Sequence, residues 1–456
     1  MKTNLHSLAA IVVALMTCSA TIGGAAELRI AHFAVDVTPP VGTPLCLGLA
    51  PRTTGVDDLL TARGVIFLPA GQAPVALVAV DWVGIANGSH ERWRAAVAKA
   101  CGTTPERVAV QTLHQHDAPG CDLGAEERAA EAGINGELLD HQFSLSTIES
   151  VAKAAEQALA SPQPVTHLGY GRGDVERVAS NRRILGSDGK VAEQRMSSAA
   201  ERLRELPEGT IDPNARVVSF WNDDQPLLAL TYYATHPQSY YRTGKASADF
   251  VGMARSAREA ALPGVFHIHF NGASGNVAAG KYNDGTPPRR AELAERLAAG
   301  HERAWSNIQK TSLRDLEFDW KSIEVQLPLA AWLQRDELDQ LLADKSSPLI
   351  DRLQAARGLS YLGRSETGRP IVLSRLRIGP VDLLHLPGEP FVEYQLVTQK
   401  LAPARFVCVA AYGDYGPGYI GLHRSYAEGG YETGRASRTA PQVETTLMGA
   451  IEELCR

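Results

Sequence analysis

Short apolar runs alternate with amphipathic stretches along most of the chain. Residues 73–80, 107–111, 216–220, 227–232, 265–270 and 381–386 form runs of strand length, many almost continuously hydrophobic. Such runs are expected of strands covered on both faces. Between them, residues 91–100, 138–159, 249–261, 290–308 and 335–343 repeat apolar positions at three- and four-residue spacing, which predicts helices. Ser161-Pro162 closes the second of these, because proline cannot continue the ladder. The alternation predicts an α/β fold, a mixed central sheet flanked by helices, with functional loops at strand ends. Residues 180–204 are polar, arginine-rich and turn-rich and read as a long surface loop. No repeat or compositional break divides residues 27–456, so a single domain is expected.

Candidate chemistry gathers where three of the runs end. The first leads into His114-Gln115-His116. Neutral imidazole is the commonest protein ligand for a first-row metal, and strand alternation would place both rings on one side. The second run leads into His236, and Pro237 ends the strand. The third leads into Pro387-Gly388-Glu389, where glycine permits a sharp turn that projects the carboxylate. Two histidines and a carboxylate form a ligand set for catalytic zinc with a position left open for water. Each residue also has a plainer reading, as a polar strand end, a strand cap or a solvated turn. A glycine-punctuated loop from Tyr412 to Tyr431 is dense in tyrosine for a chain with 6% aromatics.

These blocks resemble the N-terminal catalytic domain of the neutral (non-lysosomal) ceramidases, a family of zinc amidases. Asp36-Val37-Thr38-Pro39-Pro40, Thr112-Leu113-His114-Gln115-His116, Tyr233-Ala234-Thr235-His236 and Leu386-Pro387-Gly388-Glu389 carry the resemblance, in order. It implies that His114, His236, Glu389 and Tyr419 hold Zn2+, that His116 hydrogen-bonds near the substrate carbonyl, and that Tyr431 donates to that carbonyl. Tyr419, Tyr426 and Tyr431-Glu432 follow the family's tyrosine intervals. A phenol ionises near pH ~10, but a bound dication stabilises phenolate. Asn181-Arg182 matches the family's Asn-Arg pair, so Arg182 would pin an oxyanion or an anionic substrate group.

The chain departs from the family at the nucleophile. The family serine lies in a Gly-Asp/Asn-x-Ser-Pro turn, and this chain reads Gly275-Asn276-Val277-Ala278-Ala279, with Ala278 in the serine's place. Ser274 lies four residues early, and Gly-Ala-Ser-Gly is not a spaced nucleophile elbow. Three readings stay open. Metal-activated water attacks an amide, with Asp117 or His116 as base. Or the substrate is a non-ceramide ester or glycan that needs no serine. Or the protein keeps the metal and a ligand pocket without catalysis. Asn276 and Lys281, with Asn283 and Asp284, form either a polar substrate pocket or a solvated loop. The family continues into an immunoglobulin-like domain, whereas this chain stops at Arg456, soon after Tyr431. A reduced lipid-facing apparatus is therefore expected, which weakens ceramide as substrate more than it weakens hydrolysis.

Charge and targeting narrow the setting. A net charge of −6 without a basic run argues against a nucleic-acid partner. Lys2, the apolar residues 8–16 and Gly24-Ala25-Ala26 read as a cleavable signal peptide over residues 1–26, so the protein is expected to be secreted or periplasmic. The apolar run is too short to span a bilayer, and Thr17-Cys18 is a poor lipoprotein site. Cleavage leaves Cys46, Cys101, Cys121, Cys408 and Cys455, an odd set allowing at most two bridges, Cys408–Cys455 among the options. The absence of a CxxC pair makes a thiolate zinc site unexpected. The expectation is a secreted zinc hydrolase acting on a small or lipid-like N-acyl substrate, with a non-catalytic binding protein as the alternative.

Overall fold

The computed structural model describes residues 28–314 and 317–456, so the expected leader and Cys18 lie outside the described residues. Three sheets dominate. The first runs Val108–Thr112, Val75–Val80, Thr61–Pro69, Leu28–Asp36, Gln163–Val165. The second runs Phe266–Asn271, Gln225–Tyr233, Asn214–Asn222, His167–Asp174, Gln309–Ser312. The third runs Phe318–Val325, Ile371–Ile378, Val381–His385, Phe406–Ala410. Each is antiparallel except at one edge, where the two outermost strands run parallel: 75–80 with 108–112, 225–233 with 266–271, and 381–385 with 406–410.

The unbroken apolar runs have the predicted cause. Every residue of Val75–Val80 is buried, and its two faces enter different cores. Val75, Leu77 and Ala79 join an inter-sheet core with Phe220, Leu230, Leu376 and Leu383. Ala76, Val78 and Val80 point to a second core with the helices Gly88–Cys101 and His141–Ala158. Period-two alternation thus sorts one strand's side chains between sheet and helix layers.

Two amides lock the three parallel edges together at their C-terminal ends. Gln111 Nε2 donates to the carbonyls of Leu386 (3.2 Å), Ala410 (2.9 Å) and Ala411 (3.1 Å). Asn271 Nδ2 donates to Leu113 O at 2.6 Å, and Asn271 O accepts from Ala411 N at 2.8 Å. Buried polar groups must find partners, and here those partners lie on other sheets.

The helices Asp249–Ala261 and Arg335–Ala343 fall where the periodicity places them. The helix expected from residue 138 begins at His141, because Asp140 accepts from Phe143 N at 2.9 Å and caps it. Residues 180–204 are not a structureless loop. Ser180–Asn181 pairs with Val277–Ala278, Arg183–Leu185 pairs with Val191–Gln194, and Glu201–Arg204 makes one helical turn. The five described cysteines are all free, so the Cys408–Cys455 bridge does not form. No helix among the described residues is long and apolar enough to cross a membrane.

Candidate metal centre

Each parallel edge delivers one side chain to a common point. His114 follows the first, with φ +66°, a left-handed conformation costly for a non-glycine residue. Its N–H donates to Trp82 O at 2.9 Å, and Nδ1 lies 2.5 Å from Val83 O. The same conformation recurs at Tyr412 (φ +60°), after the third edge, and its ring stacks on His114 with centroids 4.6 Å apart. His236 follows the second edge, with Nδ1 3.0 Å from Ser274 O. Glu389 follows Gly388, whose φ of +57° and tight approach to Gly418 O leave no room for a Cβ. Its oxygen Oε1 accepts from Tyr415 OH at 2.9 Å.

The remaining faces of these groups meet. Glu389 Oε2 lies 3.2 Å from His114 Nε2 and 3.3 Å from His236 Nε2, with all three side chains almost wholly buried. Both Nδ1 atoms face backbone carbonyls, to which only an N–H can donate, so each ring when neutral turns its Nε2 lone pair toward Glu389. Burial pushes His236 down to about 4, so it is uncharged at neutral pH. Glu389 Oε2 accordingly has no hydrogen-bond partner. Glu389 Oε2 and the two Nε2 atoms are thus placed to share one cation. The donor set fits a divalent metal.

His116 and Tyr419 complete the surroundings. Candidate ligand atoms of His114, His116 and His236 lie within 4.8 Å of one another. His116 reaches the site because the left-handed turn at His114 folds the chain, not through strand alternation; its Nδ1 is buried without a partner. Burial, with His114 and His236 nearby, holds its pKa well below the ordinary imidazole value. Tyr419 OH lies 3.3 Å from His236 Nε2 and accepts from Arg182 Nη1 at 3.1 Å. Arg182 is buried, and its Nε lies 3.3 Å from Glu432 Oε1. Burial opposes the guanidinium charge, but Tyr419 and Glu432 outweigh it and raise the pKa. Tyr431 is half exposed (51%) and packs edge-on against Tyr419 at 5.6 Å.

A cavity of ≈ 290 Å³ opens onto this centre. His114, His116, Arg182, Tyr419 and Tyr431 line it. Asp117, Asn276 and Lys281 do not, contrary to expectation, because other groups hold them. Asp117 accepts from Arg242 N (2.9 Å) and Thr243 Oγ1 (2.7 Å) and anchors their loop. Asn276 accepts from Val392 N (2.8 Å) and donates to Glu393 Oε2 (2.9 Å) at the first turn of the helix Val392–Leu401. Lys281 Nζ donates to Arg204 O (2.8 Å) and Leu206 O (2.5 Å). Asn283 ties Ser197 O to Ser239 O and so braces two cavity loops, whereas Asp284 caps Thr286 at the surface. Ser274 is buried on the Nδ1 side of His236, where its hydroxyl pairs with Tyr412 OH at 2.7 Å. Ala278 is fully buried in its short pairing with Ser180.

Sequence reading missed Tyr412, Tyr415 and Arg357. The tyrosine density of the late loop signalled the first two. Arg357 sits within the helix Leu349–Glu366 and gives no local signal.

No family model and no curated protein matches the chain. Among solved structures it is similar to a ceramidase complexed with C2, at 17% identity and a TM-score of 0.67, over 94% of this chain and 75% of that one. It is similar to the neutral ceramidase from Pseudomonas aeruginosa at 18% identity and a TM-score of 0.67, over 94% and 74%. The chain has the fold of the neutral ceramidases. The three edges that meet at His114, His236 and Glu389 therefore belong to a framework shared with ceramidases, at an identity too low to carry side-chain roles across.

Proposed function

We propose that the protein is a secreted, zinc-dependent hydrolase that cleaves an N-acyl amide bond with water as nucleophile. The observation that carries this reading is the convergence of His114 Nε2, His236 Nε2 and an unpartnered Glu389 Oε2 beside a cavity with a phenol and a guanidinium. With Tyr419 as fourth ligand, the set suits zinc. When bound, zinc supplies Lewis acidity, polarising a carbonyl and acidifying water.

The chain's own groups do the rest. Arg182 and the Tyr431 hydroxyl donate to the carbonyl oxygen as its charge develops. His116, neutral with a free Nδ1, takes the proton from the attacking water and returns it to the leaving amine. Tyr415 fixes the Glu389 carboxylate through Oε1. The methyl of Ala278 cannot attack a carbonyl, so water must. A cavity of ≈ 290 Å³ lies at the lower edge of the ~300–1,000 Å³ that a drug-sized ligand occupies, which favours a short substrate over a two-chain lipid.

A second reading, a ligand-binding protein without turnover, is favoured by Ala278 alone. The full-length protein, loaded with zinc and assayed on a panel of N-acyl compounds, separates the two. Turnover by the wild type that chelation abolishes supports the hydrolase. Wild-type inertness, with activity appearing in Ala278→Ser, supports loss of catalysis. About one zinc per chain is expected, and His236→Ala should lose most of it.

A further inference from the structure

We propose that Arg357 binds a carboxylate on the substrate, so that the N-acyl compound hydrolysed is an anion such as an N-acyl amino acid. This rests on the hydrolase reading above and names its substrate class. Arg357 is 7% exposed and lines the cavity beside the metal centre. Its guanidinium makes no hydrogen bond or ion pair with any described residue. The other buried arginines are all provided for: Arg255 by Asp81, Arg364 by Asp414, Arg216 by Asp212 and Arg195 by backbone carbonyls are examples. The Arg357 guanidinium opens onto the cavity, so the partner it lacks within the protein can come from a ligand there.

The contact it does make is insufficient. Arg357 Cζ lies 5.6 Å from the centroid of Tyr415, a cation–π geometry worth ~0.5–2 kcal/mol that leaves all five N–H donors unused. No Asp or Glu lines the cavity, while two arginines do. Glu432 already balances the Arg182 charge, and the remaining Arg182 donors serve Tyr419 and the reacting carbonyl. The uncompensated positive charge belongs to Arg357, and a planar carboxylate matches a single guanidinium in a bidentate pair.

The location fits substrate rather than a distant effector. The Tyr415 ring that carries Arg357 lies 5.4 Å from the His114 ring and donates through its hydroxyl to Glu389. The anion and the reacting centre are thus one aromatic ring apart. An anion bound there would press its acyl-amide end toward His116, Arg182 and Tyr431.

The test uses N-acyl amino acids, each paired with its uncharged primary amide, on the zinc-loaded full-length protein. KM is measured for release of the acyl group, and Kd by calorimetry on the same pairs. Wild type should favour the carboxylate member by about 30-fold, as for a desolvated charge pair. In Arg357→Met the ratio should fall to near one, and Arg357→Lys should lie between. Lys also serves if the Met variant fails to fold. Turnover without carboxylate preference, or a preference that survives in Arg357→Met, overturns the role of Arg357 and leaves the hydrolase standing. Preferential binding without turnover leaves Arg357 standing and overturns the hydrolase. Neither binding nor turnover overturns both.

Discussion

Replacing Glu389 by glutamine should weaken the metal site and yet stabilise the metal-free protein. Without an ion, Oε2 faces the two Nε2 atoms at 3.2 and 3.3 Å and has no hydrogen-bond partner of its own. Glutamine keeps Oε1 to accept from Tyr415 and turns an NH2 toward both imidazoles. One hydrogen bond gained to His114 Nε2 at about 1 kcal/mol, with relief of a buried unpaired carboxylate, gives a stabilisation of about 1–3 kcal/mol. Urea unfolding in chelator at about pH 8.5, above the imidazole range, measures it. The gain should shrink as the pH falls. Burial alone would raise the Glu389 pKa, but contact with charged His114 and His236 holds it well below the usual carboxylate range, so wild type recovers an ion pair there. With zinc the order reverses. A structural zinc site is worth ~10–16 kcal/mol over four ligands, so losing one weakens affinity by roughly 100-fold or more. A glutamine variant no more stable than wild type at about pH 8.5 in chelator refutes the facing-acceptor account, because a proton would then already bridge the site.

Two further substitutions test what supports the centre. Gln111→Met keeps the length but removes the donors that bind three carbonyls from the third edge; a loss of about 2–4 kcal/mol by urea unfolding is expected, and a change within about 0.5 kcal/mol would show that the junction needs no clamp. Asp122 is pushed by burial from 3.8 up to about 6, against the hydrogen bond from Ser360. Its contribution is therefore fully present below pH 3.8 and is lost as the pH rises through about 6, a change of up to about 3 kcal/mol. Asp122→Asn should gain on wild type across that window, and a stability difference flat with pH would exclude the shift.

The three principal ligand candidates were legible because each follows a long apolar run, and such runs mark strands covered on both sides. What the sequence hid was their convergence. His114, His236 and Glu389 lie far apart in the chain and meet only because the parallel edges of three sheets pack together. Asp117 looked like a base because it neighbours His116, but its side chain leaves the site to hold Arg242 and Thr243. Lys281 and Asn276 failed similarly, since adjacency to an altered turn says nothing about which backbone carbonyl or helix end claims a side chain. Arg357 was unreadable for a different reason. An arginine in a helix normally lies on a solvated face, and only the fold brings Tyr415 and the cavity to it.

With an ion held as proposed, the division of its ligands among three sheets would make metal binding and folding one equilibrium. Each of His114, His236 and Glu389 is pinned behind by its own framework, to Val83 O, Ser274 O and Tyr415 OH. An ion that bound them would therefore clamp three edges at once, and its affinity would add to the stability of the folded state. The same arrangement separates two kinds of ligand loss. Removing His236 to alanine opens a buried hole and leaves Ser274 O with Val277 N as its one remaining donor, so it should cost both ion and fold. Changing Glu389 to glutamine should cost the ion alone, because the amide supplies the partner that Oε2 lacks without an ion.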